Sequence, residues 1–235
     1  MTLEGKTLVV TGAFGALGSA VAEAAIQRGA SVAAVDYAPA PPAGLAVRLG
    51  PKALVAGGLD LSLPHAAQRA MAEVSARFGR IHALLNIAGG FRWEKIADAA
   101  SAESWDKMFA INLKTAVNAS RAALPYLLES GGGRIVNVGA QAAVHAPEGM
   151  GAYAASKAAV HRFTESLADE LKLKGVTVNA VVPSIIDTPA NRADMPNADF
   201  SRWVSPADLA AVILFLASDE ARAVTGALVP VTGGV

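Results

Sequence analysis

The sequence predicts one doubly wound α/β domain built on a parallel sheet, and three observations predict it. Short β-branched runs alternate with longer stretches of helical period, the pattern of repeated βαβ units. Most of those runs are continuously apolar, as strands covered by helices on both faces must be. The 235 residues are 53% hydrophobic but only 6% aromatic, so Ala, Val, Leu and Ile supply enough apolar mass for one large core and leave little of the chain to disorder.

Taken in order, strands are expected at Thr7–Thr11, Ser31–Asp36, Ala53–Ala56, Ile81–Asn86, Arg134–Val138, Thr177–Val182 and Ala227–Val231. Helical stretches fall between them, near 16–28, 64–78, 101–129, 152–174 and 206–218. Ser205 before Pro206 reads as an N-cap followed by proline at the first helical position, and Gly29 and Gly175 stand where helices should stop. A Pro-rich loop from Ala38 to Pro51 joins the second and third strands. A polar, irregular stretch beginning at Ser184 and running to about residue 204 has the length of a substrate lid. With no fixed-period repeat and no dividing linker, residues 1–235 are expected to form a single domain.

Composition narrows the function. Twenty basic side chains balance twenty acidic ones, so there is no basic excess to draw nucleic acid or an anionic membrane surface. The absence of cysteine removes disulfide scaffolds, thiol catalysis and thiolate zinc sites. The histidines at 65, 82, 145 and 161 show no ligand spacing, so no catalytic metal is expected. The first residues carry Glu4 and run directly into a strand, unlike a secretory signal, and the longest apolar run, Leu209 to Ala217, falls far short of the roughly 20 residues that span a bilayer. The expectation is a cytoplasmic protein acting on a small molecule.

The first strand ends in a glycine-rich turn where a helix opens: Gly12, Phe14, Gly15, Ala16, Leu17 and Gly18. Glycines there let the backbone approach a pyrophosphate, which the unpaired N–H groups and positive dipole of the helix N-terminus attract. Asp36, about 20 residues on at the end of the second strand, can accept hydrogen bonds from ribose hydroxyls. It would repel a 2′-phosphate, and no arginine stands at 13, 14 or 37 to receive one, so NAD(H) is expected over NADP(H).

Tyr153 and Lys157, four residues apart, share one helix face. An ammonium beside a phenol favours the phenolate, and a cationic ring nearby would lower the phenol further from about 10, giving a general acid/base.

The Thr11–Gly18 turn, Asn86-Ile-Ala-Gly89, Asn112 and Tyr153-Ala-Ala-Ser-Lys157 together resemble the short-chain dehydrogenase/reductase superfamily, over the whole chain and in the same order. The resemblance implies a Rossmann-type fold with strand order 3-2-1-4-5-6-7 and hydride transfer between a nicotinamide and a carbonyl or alcohol. It makes Tyr153 the acid/base, gives Lys157 the nicotinamide ribose, and has Asn112 anchor a water that continues the proton relay. It sets Asn86, Ala88 and Gly89 beside the adenosine, Asp60 and Leu61 beside the adenine, and Pro183, Ile185 and Thr188 around the carboxamide, with Ser184 in place of a usual glycine. A homotetramer or homodimer is also implied, packed through the 101–129 and 152–174 helices with small exposed residues Ala119, Ala122, Ala155 and Ala159.

One departure bears on substrate. The superfamily places a serine thirteen residues before the tyrosine, where its hydroxyl polarises the substrate carbonyl, and Ala140 stands there. Losing such a donor costs about 10²–10³ in rate. Gln141 or His145 are the candidate replacements. Gly139–Ala143, Gly89-Gly90-Phe91, and the segment from Asp187 to Ser201 with Trp203 resemble dihydropteridine reductase, which reduces a conjugated imine system and needs less polarisation. A further alternative is a dinucleotide-binding scaffold or sensor without turnover. Phe91, Trp93 and Trp203 are candidates to stack on a flat substrate, and Arg92 and Arg192 to pair with an anionic one.

Overall fold

The computed structural model describes residues 1–98 and 102–235. In chain order the elements are β1 (Thr7–Thr11), α1 (Ala16–Gln27), β2 (Ser31–Val35), α2 (Leu45–Leu49), β3 (Ala53–Ala56), α3 (Pro64–Phe78), β4 (Ala83–Asn86), α4 (Ala102–Phe109) and α5 (Thr115–Glu129). Then follow β5 (Gly133–Val138), α6 (Gly151–Leu171), β6 (Val176–Pro183), α7 (Pro189–Asp194), α8 (Pro206–Leu216) and β7 (Leu228–Val231). The strands form one seven-stranded sheet, order β3-β2-β1-β4-β5-β6-β7, with every pair parallel, as the sequence predicts.

Strand alternation divides the core between the two faces. Leu8, Val10, Ala83, Leu85 and Val136 pack with Val21 and Ala25 of α1 and Leu209, Ile213 and Leu214 of α8. Val9, Leu84 and Ile135 point the other way, against Met71 and Val74 of α3, Ala119, Ala123 and Leu127 of α5, and Leu171 of α6. Strand order reverses between β1 and β4, so the helices that follow these strands diverge and leave a crevice at their carboxyl ends.

The predicted caps are present: the Ser205 Oγ accepts the Asp208 N–H at 3.0 Å, and Gly29 and Gly175 take φ of +93° and +73° where helices end. Four details differ from the sequence reading, beyond other shifts of one to three residues at element ends, such as β2 stopping at Val35 before Asp36. The 38–51 loop contains α2, five residues between Gly44 and Gly50 that bury Leu45 and Leu49; a single turn gives too short a period to read. β4 begins at Ala83 instead of Ile81. The expected helix over 101–129, whose first residue lies outside the described ones, is interrupted by a π-turn, Ala110–Lys114. Ala119 is fully buried in its own chain's core, so it is unavailable to a partner subunit, whereas Ala122, Ala155 and Ala159 remain partly exposed.

The 184–204 stretch folds onto itself. Ile186 pairs with Val204, Thr188 caps α7 by accepting the Asn191 N–H at 3.2 Å, and a short 3-10 turn spans Phe200–Arg202. Among the described residues no helix is long and apolar enough to cross a membrane.

Candidate active site

A cleft of about 1430 Å³ opens across the carboxyl ends of the strands. At one end stands the glycine-rich turn. Gly12 has φ +65°, and a Cβ on it would come within 2.7 Å of the Ala88 Cα. A Cβ on Gly18 would overlap the Gly12 carbonyl and Ala13, while Gly15 lines the cleft, where a Cβ would meet the Gly12 carbonyl at an ordinary 3.5 Å. Backbone is thereby brought to the cleft wall with no side chain in the way, the form a diphosphate requires.

The Asp36 carboxylate is held there by two N–H groups, Phe14 to Oδ2 at 2.8 Å and Ala38 to Oδ1 at 2.9 Å. Phe14 takes part through its backbone, its ring being buried in the core. Thr11 opens the motif in the sequence but had no role assigned to it: its Oγ1 accepts the N–H groups of Ile87 and Ala88, both at 3.1 Å, tying β1 to the segment after β4. Asn118 was missed, and its Nδ2 donates to the Leu61 and Ser62 carbonyls at 3.1 and 2.8 Å. Asp60 closes the same corner, its Oδ1 accepting from the Ser62 N–H and hydroxyl at 2.9 and 2.6 Å. A residue before a strand-end glycine and a polar residue on a buried helix face were the available signals.

Ala88 and Gly89 line the cleft, but Asn86 does not. Its amide is buried in the sheet, donating to Ser120 Oγ at 3.1 Å and Asn137 Oδ1 at 2.8 Å. Asn112 likewise lies behind the wall. Its Oδ1 accepts the Gly90 N–H at 2.9 Å, and its Nδ2 donates to Gly90 O at 3.1 Å and Ser156 Oγ at 3.0 Å. The π-turn carrying it is a form that recurs at functional sites. Gly89 is glycine because a Cβ would stand 2.6 Å from Asn112 Oδ1.

Tyr153 and Lys157 both line the cleft from α6. The Lys157 Nζ donates to the Val138 carbonyl at 2.8 Å. Burial lowers its pKa to about 8, and burial raises that of the Tyr153 phenol to about 12. The sequence reading expected the ammonium to pull the phenol down; in the protein alone desolvation governs, and the phenol is held protonated.

Phe91 meets Tyr153 edge-on, ring centroids 5.0 Å apart. Ala140, Gln141 and His145 stand on the adjoining wall, with Ala140 buried and the other two exposed. Pro183, Ile185 and Thr188 form the far wall, where Ser184 donates its hydroxyl to Thr232 O at 2.7 Å. Lys107, one helical turn before Ile111, also reaches the cleft and was not singled out by sequence.

Trp93, Trp203 and Arg192 do not reach the wall. Trp93 Nε1 donates to Glu148 O at 3.0 Å, fastening the 91–95 loop to the 147–150 loop. Trp203 is buried under Phe200, centroids 4.7 Å apart. Arg192 forms a double hydrogen bond with Asp187, 2.6 and 2.7 Å, and stacks over Phe200 at 4.7 Å. Arg92 pairs with Glu94 at 2.8 Å. Both guanidinium groups thus have carboxylates already, Arg92 from its own loop and Arg192 from the folding of the lid, pairings that sequence alone does not reveal.

The sequence model of the short chain dehydrogenase family matches residues 6–199. The chain is 37% identical over 243 residues to a D-threitol dehydrogenase of Mycolicibacterium smegmatis, covering 99% of this chain and 93% of that protein. It is 33% identical over 250 residues to a 3-oxoacyl-[acyl-carrier-protein] reductase of Thermotoga maritima, covering 100% and 99%. Among solved structures it is similar to a short-chain type dehydrogenase/reductase from Mycobacterium ulcerans, with a TM-score of 0.92, 28% identity, and coverage of 100% of this chain and 90% of that one.

Proposed function

Because this chain belongs to the short-chain dehydrogenase family, we propose that it is an oxidoreductase that uses NAD(H) in preference to NADP(H) and acts on a neutral carbonyl or alcohol, with Tyr153 exchanging the proton. The observation that carries the reading is the meeting, in one cleft, of the glycine turn, Asp36, Tyr153 and Lys157.

The glycine cradle fits a dinucleotide diphosphate. Gly12, Gly15, Ala16, Leu17 and Gly18 would take the phosphates against the α1 N-terminus, and Asp36 the adenosine ribose. Asp60, Leu61, Ala88 and Gly89 would border the adenosine; Pro183, Ile185 and Thr188 the carboxamide; and Lys157 the second ribose. When bound, the nicotinamide supplies or accepts the hydride.

In reduction the protonated Tyr153 Oη delivers its proton to the substrate oxygen, and in oxidation it takes one. The Lys157 ammonium, fixed by Val138 O, favours the phenolate that delivery leaves behind. Asn112 holds the Gly90 backbone behind the cleft wall, and a water anchored by it would continue the relay to solvent. The 184–204 lid excludes water, and the engagement of Arg92 and Arg192 with carboxylates supports a neutral substrate.

Ala140 favours a second reading, reduction of a conjugated imine such as quinonoid dihydropterin, which does not need a carbonyl polarised. It also motivates a scaffold without turnover. NADH oxidation assayed against a ketone panel and quinonoid dihydropterin distinguishes them: ketone turnover supports the first, pterin turnover alone the second, and NADH binding with no acceptor reduced the third. Assembly as a homotetramer or homodimer, through faces carrying Ala122, Ala155 and Ala159, is part of the reading, and light scattering that finds a stable monomer would overturn that part.

A further inference from the structure

Lys157, His161 and Thr164 lie on one face of α6, and each meets the end of β5. Lys157 Nζ donates to Val138 O at 2.8 Å, Thr164 Oγ1 accepts from Asn137 Nδ2 at 2.8 Å, and His161 Nε2 accepts the Ala140 N–H at 3.4 Å. Thr164 and Lys157 hold the last two residues of β5, Asn137 and Val138. His161 holds the turn that follows them toward the cleft. His161 is buried, and its ring packs so closely on Gly139 that any Cβ there would overlap Nε2.

We propose that His161 is a positioning residue for the reaction: its neutral imidazole, accepting the Ala140 N–H, holds Gly139–Gln141 in register with Tyr153. The proposal rests on the oxidoreductase reading. Only the Nδ1–H tautomer can serve, because a protonated ring would turn Nε2 into a donor facing a donor.

The surroundings keep the ring neutral. Burial lowers its pKa first, the charges of Arg162 and Lys157 lower it further, and Glu165 opposes them. All three charged residues lie on α6; the 138–140 backbone brings no charge, and Ala143, Val144 and Leu228, which line a shallow groove with the ring, are neutral. With the usual serine absent at 140, the wall that faces substrate is set by this backbone and by Gln141.

The test compares His161→Leu, which removes the acceptor, with His161→Gln, whose amide oxygen can replace Nε2 without titrating. For whichever acceptor the wild type reduces, His161→Leu should lower kcat/KM roughly five- to tenfold, about the worth of one buried hydrogen bond, with NADH affinity unchanged. His161→Gln should restore most of that rate and remove the acid limb of the pH profile. Wild-type kcat/KM in His161→Leu, or an acid limb unchanged in His161→Gln, overturns the proposal.

A second readout is independent of turnover. A histidine whose folded pKa is lowered contributes stability that is present above its ordinary 6.5 and lost as pH falls below it. The wild-type Tm should therefore fall more steeply than that of His161→Gln below about pH 6.5. Equal slopes would contradict the neutral-ring requirement even if no acceptor were ever reduced.

Discussion

The Asp36 carboxylate reaches back from the end of β2 to accept the Phe14 N–H at 2.8 Å, so the group proposed to choose the cofactor is fastened to the turn proposed to bind it. Asp36→Ala should therefore act twice. It removes the charge that repels a 2′-phosphate, and it frees the turn. The ratio of kcat/KM for NADH over NADPH should fall at least about tenfold, with NADH affinity also weakened. An unchanged ratio in parallel steady-state assays would contradict the assignment.

Restoring the missing hydroxyl separates the two chemical readings. Ala140 is buried with its backbone fixed, so Ala140→Ser places an oxygen on an existing wall. If the acceptor is a simple carbonyl, the variant should gain about 10-fold or more in kcat toward ketones, within the range such donors supply. No gain on any ketone, together with retained pterin reduction, would favour the imine reading.

Lys157 is charged at neutral pH at the expense of stability. Its pKa is about 8 in the fold against 10.5 ordinarily, so the unfolded chain holds the proton more tightly. The penalty is full below about pH 8 and fades as pH rises toward 10.5. In the nucleotide-free protein, Lys157→Met should raise stability at pH 7 by on the order of 2 kcal/mol, after about 1 kcal/mol for the lost bond to Val138 O. The gain should shrink by pH 10, and turnover should be lost. Thermal unfolding at the two pH values checks this, and a variant less stable at pH 7 than the wild type would contradict it.

Arg192 is engaged with Asp187 and Phe200, not with the cleft. Arg192→Ala should change KM for carboxylated and neutral ketones alike, their ratio moving by less than about threefold, as expected for an exposed pair that does not line the cleft. A tenfold loss confined to carboxylated acceptors would return Arg192 to the substrate site.

Much of this architecture was legible because doubly covered strands are written as continuous apolar runs. Val9 and Val10 read as strand whichever face they serve, and the order of elements then left few topologies open. The glycine turn was legible for a related reason: Gly12 and Gly18 are required by backbone approach alone, which local sequence expresses. Less legible was anything decided by a distant partner. Ala119 looks like any surface alanine until α3 covers it, and Arg192 looks free until lid folding delivers Asp187. Asn112 lies in a run whose helical period continues unbroken, so its π-turn has no periodic signature. The direction of the Tyr153 shift was likewise hidden, because spacing shows that a lysine is near but not how far both are removed from water.

The central claim is that Tyr153 carries the proton, and Tyr153→Phe tests it most directly. The variant keeps the ring that Phe91 contacts at 5.0 Å and removes only the hydroxyl. Turnover measured at saturating NADH should fall by about 10²–10⁴, the contribution of a positioned acid/base, while the NADH dissociation constant stays within a few-fold of the wild type. Full turnover in Tyr153→Phe, with NADH bound as before, would contradict it.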